Sequence, residues 1–138
     1  VKYPYLSLLI LLIIPISGCL EEISETLKPD LEITVLNKEF WNETEEGYLP
    51  TTGNTWLFLE LNITNNNEKG SVPITAYQFF LIREAEETWC RGYEGDSEPS
   101  VEPGKNISFT IYFEVKETSN YDHLEYRRTL EDPLRIDL

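Results

Sequence analysis

Methionine is absent from the 138 residues, histidine occurs once, at His123, and cysteine twice, at Cys19 and Cys90. One imidazole cannot make a multi-histidine metal site, and no partner for a Ser–His–Asp arrangement is identifiable around it. His123, beside Asp122 in a polar stretch, reads as a surface residue. Copper handling through soft ligands is disfavoured on the same inventory. Neither catalysis nor a cofactor is expected. Positive charge is also scarce, 11 Lys and Arg against 25 Asp and Glu, for a formal net charge of −14. Residues 1–18 hold only Lys2 and no acid, so Cys19 to Leu138 carries −15. Such a domain is repelled by phosphate backbones and anionic headgroups, which argues against nucleic acid as a partner and against a polybasic membrane patch. No segment shows a sustained 3.6-residue apolar stripe, which speaks against a helical domain.

What is present points to one folded unit. The length suits a single domain, and 12% aromatic residues with long β-branched runs argue for a packed core in spite of the acidity. The N-terminus stands apart. An apolar run from Leu6 to Ile16, broken only by Ser7 and Pro15, follows Lys2. It matches the n-region and short h-region of an export signal helix better than the roughly 20 residues a membrane span requires. A retained span stays open as the alternative, because the uncharged stretch from Tyr3 to Leu20 just reaches across if Pro15 is tolerated. Pro15 breaks the helix, Ser17 and Gly18 are small enough for a peptidase cleft, and Cys19 offers a thiol for alkylation.

Ile16-Ser17-Gly18-Cys19 resembles the lipobox of prokaryotic lipoproteins, with Ile in place of the usual Leu. That resemblance implies a signal peptide over 1–18, cleavage before Cys19 and a diacylglyceryl group on its sulfur. Two acyl chains anchor stably where one binds only marginally. A chain without methionine that opens on Val1 is expected to use a non-standard start codon and to be prokaryotic, bacterial or archaeal. Residues 19–29, polar, acidic and closed by Pro29, read as a lipidated tether spanning about 18 Å if flexible.

From Asp30 to Leu138 the period is two. In "DLEITVLNKEFW", Leu31, Ile33 and Val35 alternate with Glu32 and Thr34. In "TWLFLELNITN", Leu57, Leu59, Leu61 and Ile63 alternate with Phe58, Glu60, Asn62 and Thr64. "YQFFLIRE" is apolar in both phases, as a central or doubly covered strand should be, and "TWCRGY" is expected to return antiparallel to it. "NISFTIYFEV" places Ile107, Phe109, Ile111, Phe113 and Val115 on one face, and "HLEYRR" and "PLRIDL" supply the last strands. With turn signals at Gly53-Asn54, Asn65-Asn66-Asn67 and Pro103-Gly104, about seven strands predict an all-β, antiparallel, immunoglobulin-like β-sandwich. "WLFLELNITNNNEKG", the Phe79-Phe80-Leu81 run and "VEPGKNISFTIYFEV" resemble the telokin-like, immunoglobulin-fold domain of unknown function common on bacterial and archaeal surface lipoproteins. Arg83 stands where that family usually has Asp, and Glu84-Ala85-Glu86-Glu87 replaces its glycine turn, so the geometry of that hairpin is open. The resemblance implies a sandwich with no shared enzymatic activity.

Candidate sites are few. Glu94, Asp96 and Glu98 sit at alternate positions of a loop, as a weak Ca²⁺ shell can begin, or they are simply solvated. Asn42, Asn62 and Asn106 head glycosylation sequons. Trp41, Trp56, Trp89 and Tyr112 either pack the core or form an aromatic platform, Trp56 and Tyr112 being the better surface candidates because they oppose the aliphatic faces. Cys90, left without a partner by an alkylated Cys19, is expected to be a free buried thiol, with an exposed, dimer-forming thiol as the alternative. The reading that emerges is a lipid-anchored module on the extracytoplasmic face of the cell membrane. It acts by binding or scaffolding, with a protein or glycan partner at the cell surface. A solute-recognition or metal-carrier accessory lipoprotein is the alternative.

Overall fold

The computed structural model describes residues 29–116 and 120–138. The expected signal peptide, the expected lipidation site Cys19 and the expected tether up to residue 28 therefore lie outside the described residues. The described chain forms β1 (Leu31–Trp41), β2 (Asn54–Asn65), β3 (Val72–Pro73), β4 (Phe79–Arg83), β5 (Glu86–Trp89), β6 (Gly92–Tyr93), β7 (Ser100–Val101), β8 (Asn106–Lys116), β9 (His123–Tyr126) and β10 (Leu134–Ile136), with a 3₁₀ turn at Ala76–Gln78. Two four-stranded sheets, in the orders β1-β2-β8-β6 and β10-β9-β4-β5, and a short β3-β7 ladder make an antiparallel sandwich consistent with immunoglobulin-like topology.

The alternation read from sequence sets the inner faces. Leu57, Leu59, Leu61 and Ile63 of β2 and Phe109, Ile111, Phe113 and Val115 of β8 meet Phe79, Leu81, Leu124, Tyr126 and Ile136 of the facing sheet in one buried cluster. Phe79 stacks on Tyr126 at 4.4 Å between ring centroids, a contact of the kind that fixes two neighbouring strands in register. As its two-phase hydrophobicity suggested, β4 is central, flanked by β5 and β9. Its outward Phe80 is covered by the Arg127 guanidinium, 4.1 Å from the ring centroid. Arg127 is held there by ion pairs to Glu87 and Glu125.

Three local features differ from simple alternation. First, "TWCRGY" does not return as one strand. The Cys90 N–H bonds Phe79 O on one sheet and the Arg91 N–H bonds Tyr112 O on the other, so the segment crosses between sheets at this step. β5 and β6 are the two halves, and this crossing together with the β3-β7 ladder raises the expected seven strands to ten among the described residues. Second, the hairpin left open by sequence is closed by a two-residue turn, Arg83 pairing with Glu86. Glu84 takes φ 53° there, a conformation costly for a side-chain-bearing residue, and its N–H is bonded by Asp122 Oδ2 at 2.7 Å. Third, β1 carries a bulge between Val35 and Asn37. The extra residue, Leu36, resets the phase, so Asn37, Glu39 and Trp41 align with Glu60, Phe58 and Trp56 on the outer face instead of continuing the inward series of Leu31, Ile33 and Val35.

Candidate functional site

That bulge shapes a concavity on the outer face of the first sheet. Rows of paired residues cross the outer face of the β1-β2-β8-β6 sheet. Asn37 lies opposite Glu60, which lies opposite Thr110, and Glu94 bonds its N–H to Thr110 O. The next row runs Glu39, Phe58, Tyr112 and Gly92. Trp41 begins the third, opposite Trp56. The segment after β1 then folds back over this face. Thr44 and Tyr48 exchange backbone and side-chain hydrogen bonds at 3.1 Å, and Tyr48 O accepts from the Trp56 indole at 2.9 Å. Between this loop and the sheet lies a cavity of about 420 Å³. Phe58 and Thr110 form its floor, Asn37, Glu39 and Trp41 one wall, Glu60 and Glu94 another, and Glu43, Thr44 and Glu45 of the loop its rim.

The electrostatics of this cavity are one-sided. Glu39 accepts from Asn37 Nδ2 and from the Trp41 indole, both at 2.9 Å, which fixes the ring against the carboxylate and holds the Glu39 pKa below its ordinary value. Glu60 accepts from Ser108 Oγ at 2.9 Å. None of Glu39, Glu43, Glu45, Glu60 and Glu94 forms an ion pair with Lys or Arg among the described residues. The Glu94 carboxyl is pushed up, first by partial burial and then by repulsion from Glu45, Glu46, Glu39 and Glu60. An aromatic floor and wall beneath uncompensated carboxylates suit a positively charged, partly apolar group.

The three carboxylates read as a possible cation shell are not brought together. Glu94 faces this cavity, whereas Glu98 Oε2 accepts from the Ala76 N–H at 2.6 Å, fixing the 3₁₀ turn, and Asp96 is exposed between them. Among the described residues no group of three His, Cys, Asp or Glu side chains is arranged to hold a metal ion. Of the sequons, Asn42 and Asn106 are exposed, and Asn62 is half-buried with its amide 3.5 Å from Thr64 Oγ1. His123 stands on the outer face of the second sheet, its Nε2 3.7 Å from Glu125, and Asp122 is turned to the Glu84 N–H.

Of the aromatic expectation, the packing branch holds for Trp56 and Tyr112, and their choice as the better surface candidates needs correction. Trp56 is only 5% exposed, since the 42–50 loop lies across it, and Tyr112 is half-buried against Trp56 and Phe58 and over Gly92. Outward phase alone did not reveal that a loop would cover them. Trp41 and Trp89 are the exposed tryptophans, at 54% and 69%. The cavity residues Glu39, Glu60 and Thr110 were also missed. The one available signal was the broken alternation of "VLNKEFW", where two adjacent apolar pairs flank a polar triplet. Cys90 is a free, buried thiol, as expected, with Sγ 3.2 Å from Gly92 O, and burial pushes its pKa up to about 12.

Comparison with known proteins places this geometry in context. The profile of a domain of unknown function, DUF4352, matches residues 22–133. Among curated proteins none matches the sequence. A crystal structure of a candidate lipoprotein, ycdA, from Bacillus subtilis superimposes with a TM-score of 0.60 at 12% identity. The match covers 78% of this chain but only 36% of that one, so the chain spans about a third of ycdA's length. MPT63, a secreted protein from Mycobacterium tuberculosis, gives a TM-score of 0.54 at 15% identity, covering 78% of this chain and 82% of its own. At these identities the likeness is one of fold.

Proposed function

The chain belongs to the DUF4352 family, a domain of unknown function, and from that premise we propose that it is a lipid-anchored module on the extracytoplasmic face of the cell membrane that binds a partner rather than transforming a substrate. The observation that carries the binding reading is the cavity of about 420 Å³ on the outer face of the β1-β2-β8-β6 sheet. It lies outside the sandwich core, so an occupant reaches it without any rearrangement of the packed strands. Support for export comes from the lipobox-like Ile16-Ser17-Gly18-Cys19 and from the candidate-lipoprotein and secreted status of the two similar folds. Cys19 is the attachment residue in this reading. The tether to Pro29 holds the domain close to the membrane, where a surface-exposed protein or glycan meets it.

Two measurements test this. Intact mass of protein from a native host should show a diacylglyceryl group on a chain starting at Cys19, and Cys19→Ser should release the protein from membranes. A photo-crosslinker at position 110, on the cavity floor, should give a discrete adduct in cells that is lost when Glu60→Lys fills the cavity. The same group at position 135, on the other sheet, should give none. An unmodified N-terminus refutes the anchor. The absence of any adduct from position 110 refutes the binding reading.

A further inference from the structure

We propose that the occupant of this cavity is an arginine side chain presented by a basic polypeptide segment of a partner, an inference that rests on the binding reading above. Charge complementarity selects the sign. Glu39 and Glu60 approach from β1 and β2, Glu94 from the loop after β6 and Glu45 from the loop after β1, with no Lys or Arg ion pair to any of them among the described residues. Elsewhere on the same molecule Asp30, Glu87, Glu114 and Glu125 each have an arginine within 4.0 Å. The cavity therefore gathers several carboxylates without an ion pair beside an apolar surface.

The walls select the kind of cation. Phe58 lines the floor and the Trp41 indole is pinned by its hydrogen bond to Glu39, leaving aromatic surface next to carboxylates. A guanidinium is planar, weakly hydrated and forked, so it stacks on aromatic rings while donating two parallel hydrogen bonds to a carboxylate. An ammonium is a compact, strongly hydrated point charge and uses only half of that arrangement. The surroundings favour a polypeptide over a free small cation. β1 is the edge strand of its sheet, so its outer backbone groups are open to an extended segment beside the cavity. Residues flanking an inserted arginine would run along this edge.

The test uses the full chain in detergent micelles and calorimetric titration at low salt. The probes are the capped peptide Gly-Leu-Arg-Leu-Gly, its citrulline isostere, which keeps the shape and removes the charge, and spermidine. The arginine peptide should bind at least about tenfold more tightly than the citrulline peptide and than spermidine. The double variant Glu39→Gln/Glu60→Gln should lose about tenfold or more, and Glu45→Gln, in the exposed loop, a few-fold. Glu32→Gln, at the far end of β1, should leave the affinity unchanged. Equal binding of the citrulline peptide removes the charge requirement, equal binding of spermidine removes the polypeptide, and unchanged affinity in both cavity variants removes the site; each overturns the proposal. A partner adduct from position 110 alongside any of these results would leave the binding reading standing and defeat only the arginine assignment.

Discussion

Replacing Asn65 tests how the loops at one end of the sandwich are held. The side chain is 0% exposed at the end of β2. Its Nδ2 donates to Gly70 O and Val101 O, each at 2.9 Å, and its Oδ1 accepts from the Asn67 N–H at 2.9 Å. Its backbone N–H and carbonyl are bonded to Lys105 O and the Gly104 N–H. One amide thus ties three separate segments together. In Asn65→Ala, Gly70 and Asn67 lie in exposed or half-exposed loop and can turn to water, while the buried Val101 carbonyl is left with its ladder partner Val72 alone. Each of the three lost hydrogen bonds costs about 0.5–1.5 kcal/mol, so a loss of about 3 kcal/mol is expected. With an m-value of about 1.5 kcal/mol/M for a domain of this size, the urea midpoint should fall by about 2 M. Asn65→Asp should be worse near neutral pH. It keeps the acceptor for Asn67 but aims an anion at two carbonyl oxygens, which raises its folded-state pKa above the unfolded value near 3.9. The sign follows from proton uptake: the folded variant binds more protons, so it is most stable below pH 4 and loses stability as pH rises toward its folded pKa. Urea unfolding followed by tryptophan fluorescence at pH 7.5 and 5.0 measures both effects. An Ala variant within 0.5 kcal/mol of the parent, or an Asp variant no less stable than Ala at pH 7.5, would refute the reasoning.

Phe113→Ala should cost about 3–5 kcal/mol, because the ring is fully buried between the sheets; chemical denaturation gives the value, and a loss below 1 kcal/mol would place the core elsewhere. Cys90, with its thiol pKa near 12, should resist iodoacetamide at pH 8 until the protein is unfolded, whereas labelling of native protein would show an accessible thiol. Glu84→Asn should raise stability by up to about 1 kcal/mol, since Asn tolerates the positive φ better; a thermal melt with no upward shift would indicate that the Glu84 side chain compensates.

The sequence conveyed the fold more fully than the site, for physical reasons visible in particular residues. Strict alternation in β2 and β8 reports burial of one face directly, so Leu57 to Ile63 and Phe109 to Val115 could be assigned inward without knowledge of topology. The crossing at Cys90 could not be read, because strand exchange between sheets depends on which carbonyls, Phe79 or Tyr112, lie within reach. The cavity was hidden for two related reasons. Its residues come from β1, β2, β8 and two loops, and no local motif joins them. The bulge at Leu36 also inverts the phase that alternation assigns to Asn37, Glu39 and Trp41. The Glu94-Asp96-Glu98 spacing misled in the opposite direction. Adjacent carboxylates in sequence were separated when Glu98 turned back to the Ala76 N–H. The lipidation reading rests on Ile16 to Cys19, where chemistry is local and four residues suffice to state it.

The most direct measurement of the central claim is amide chemical-shift mapping on the isotope-labelled full chain in detergent, titrated with the arginine peptide. The largest changes are expected at the Trp41 indole, Glu39, Phe58, Glu60, Glu94 and Thr110, all on the outer face of the β1-β2-β8-β6 sheet. Changes centred instead on Phe80, Trp89 and Arg127 of the opposite sheet, or no change at saturating peptide, would contradict it.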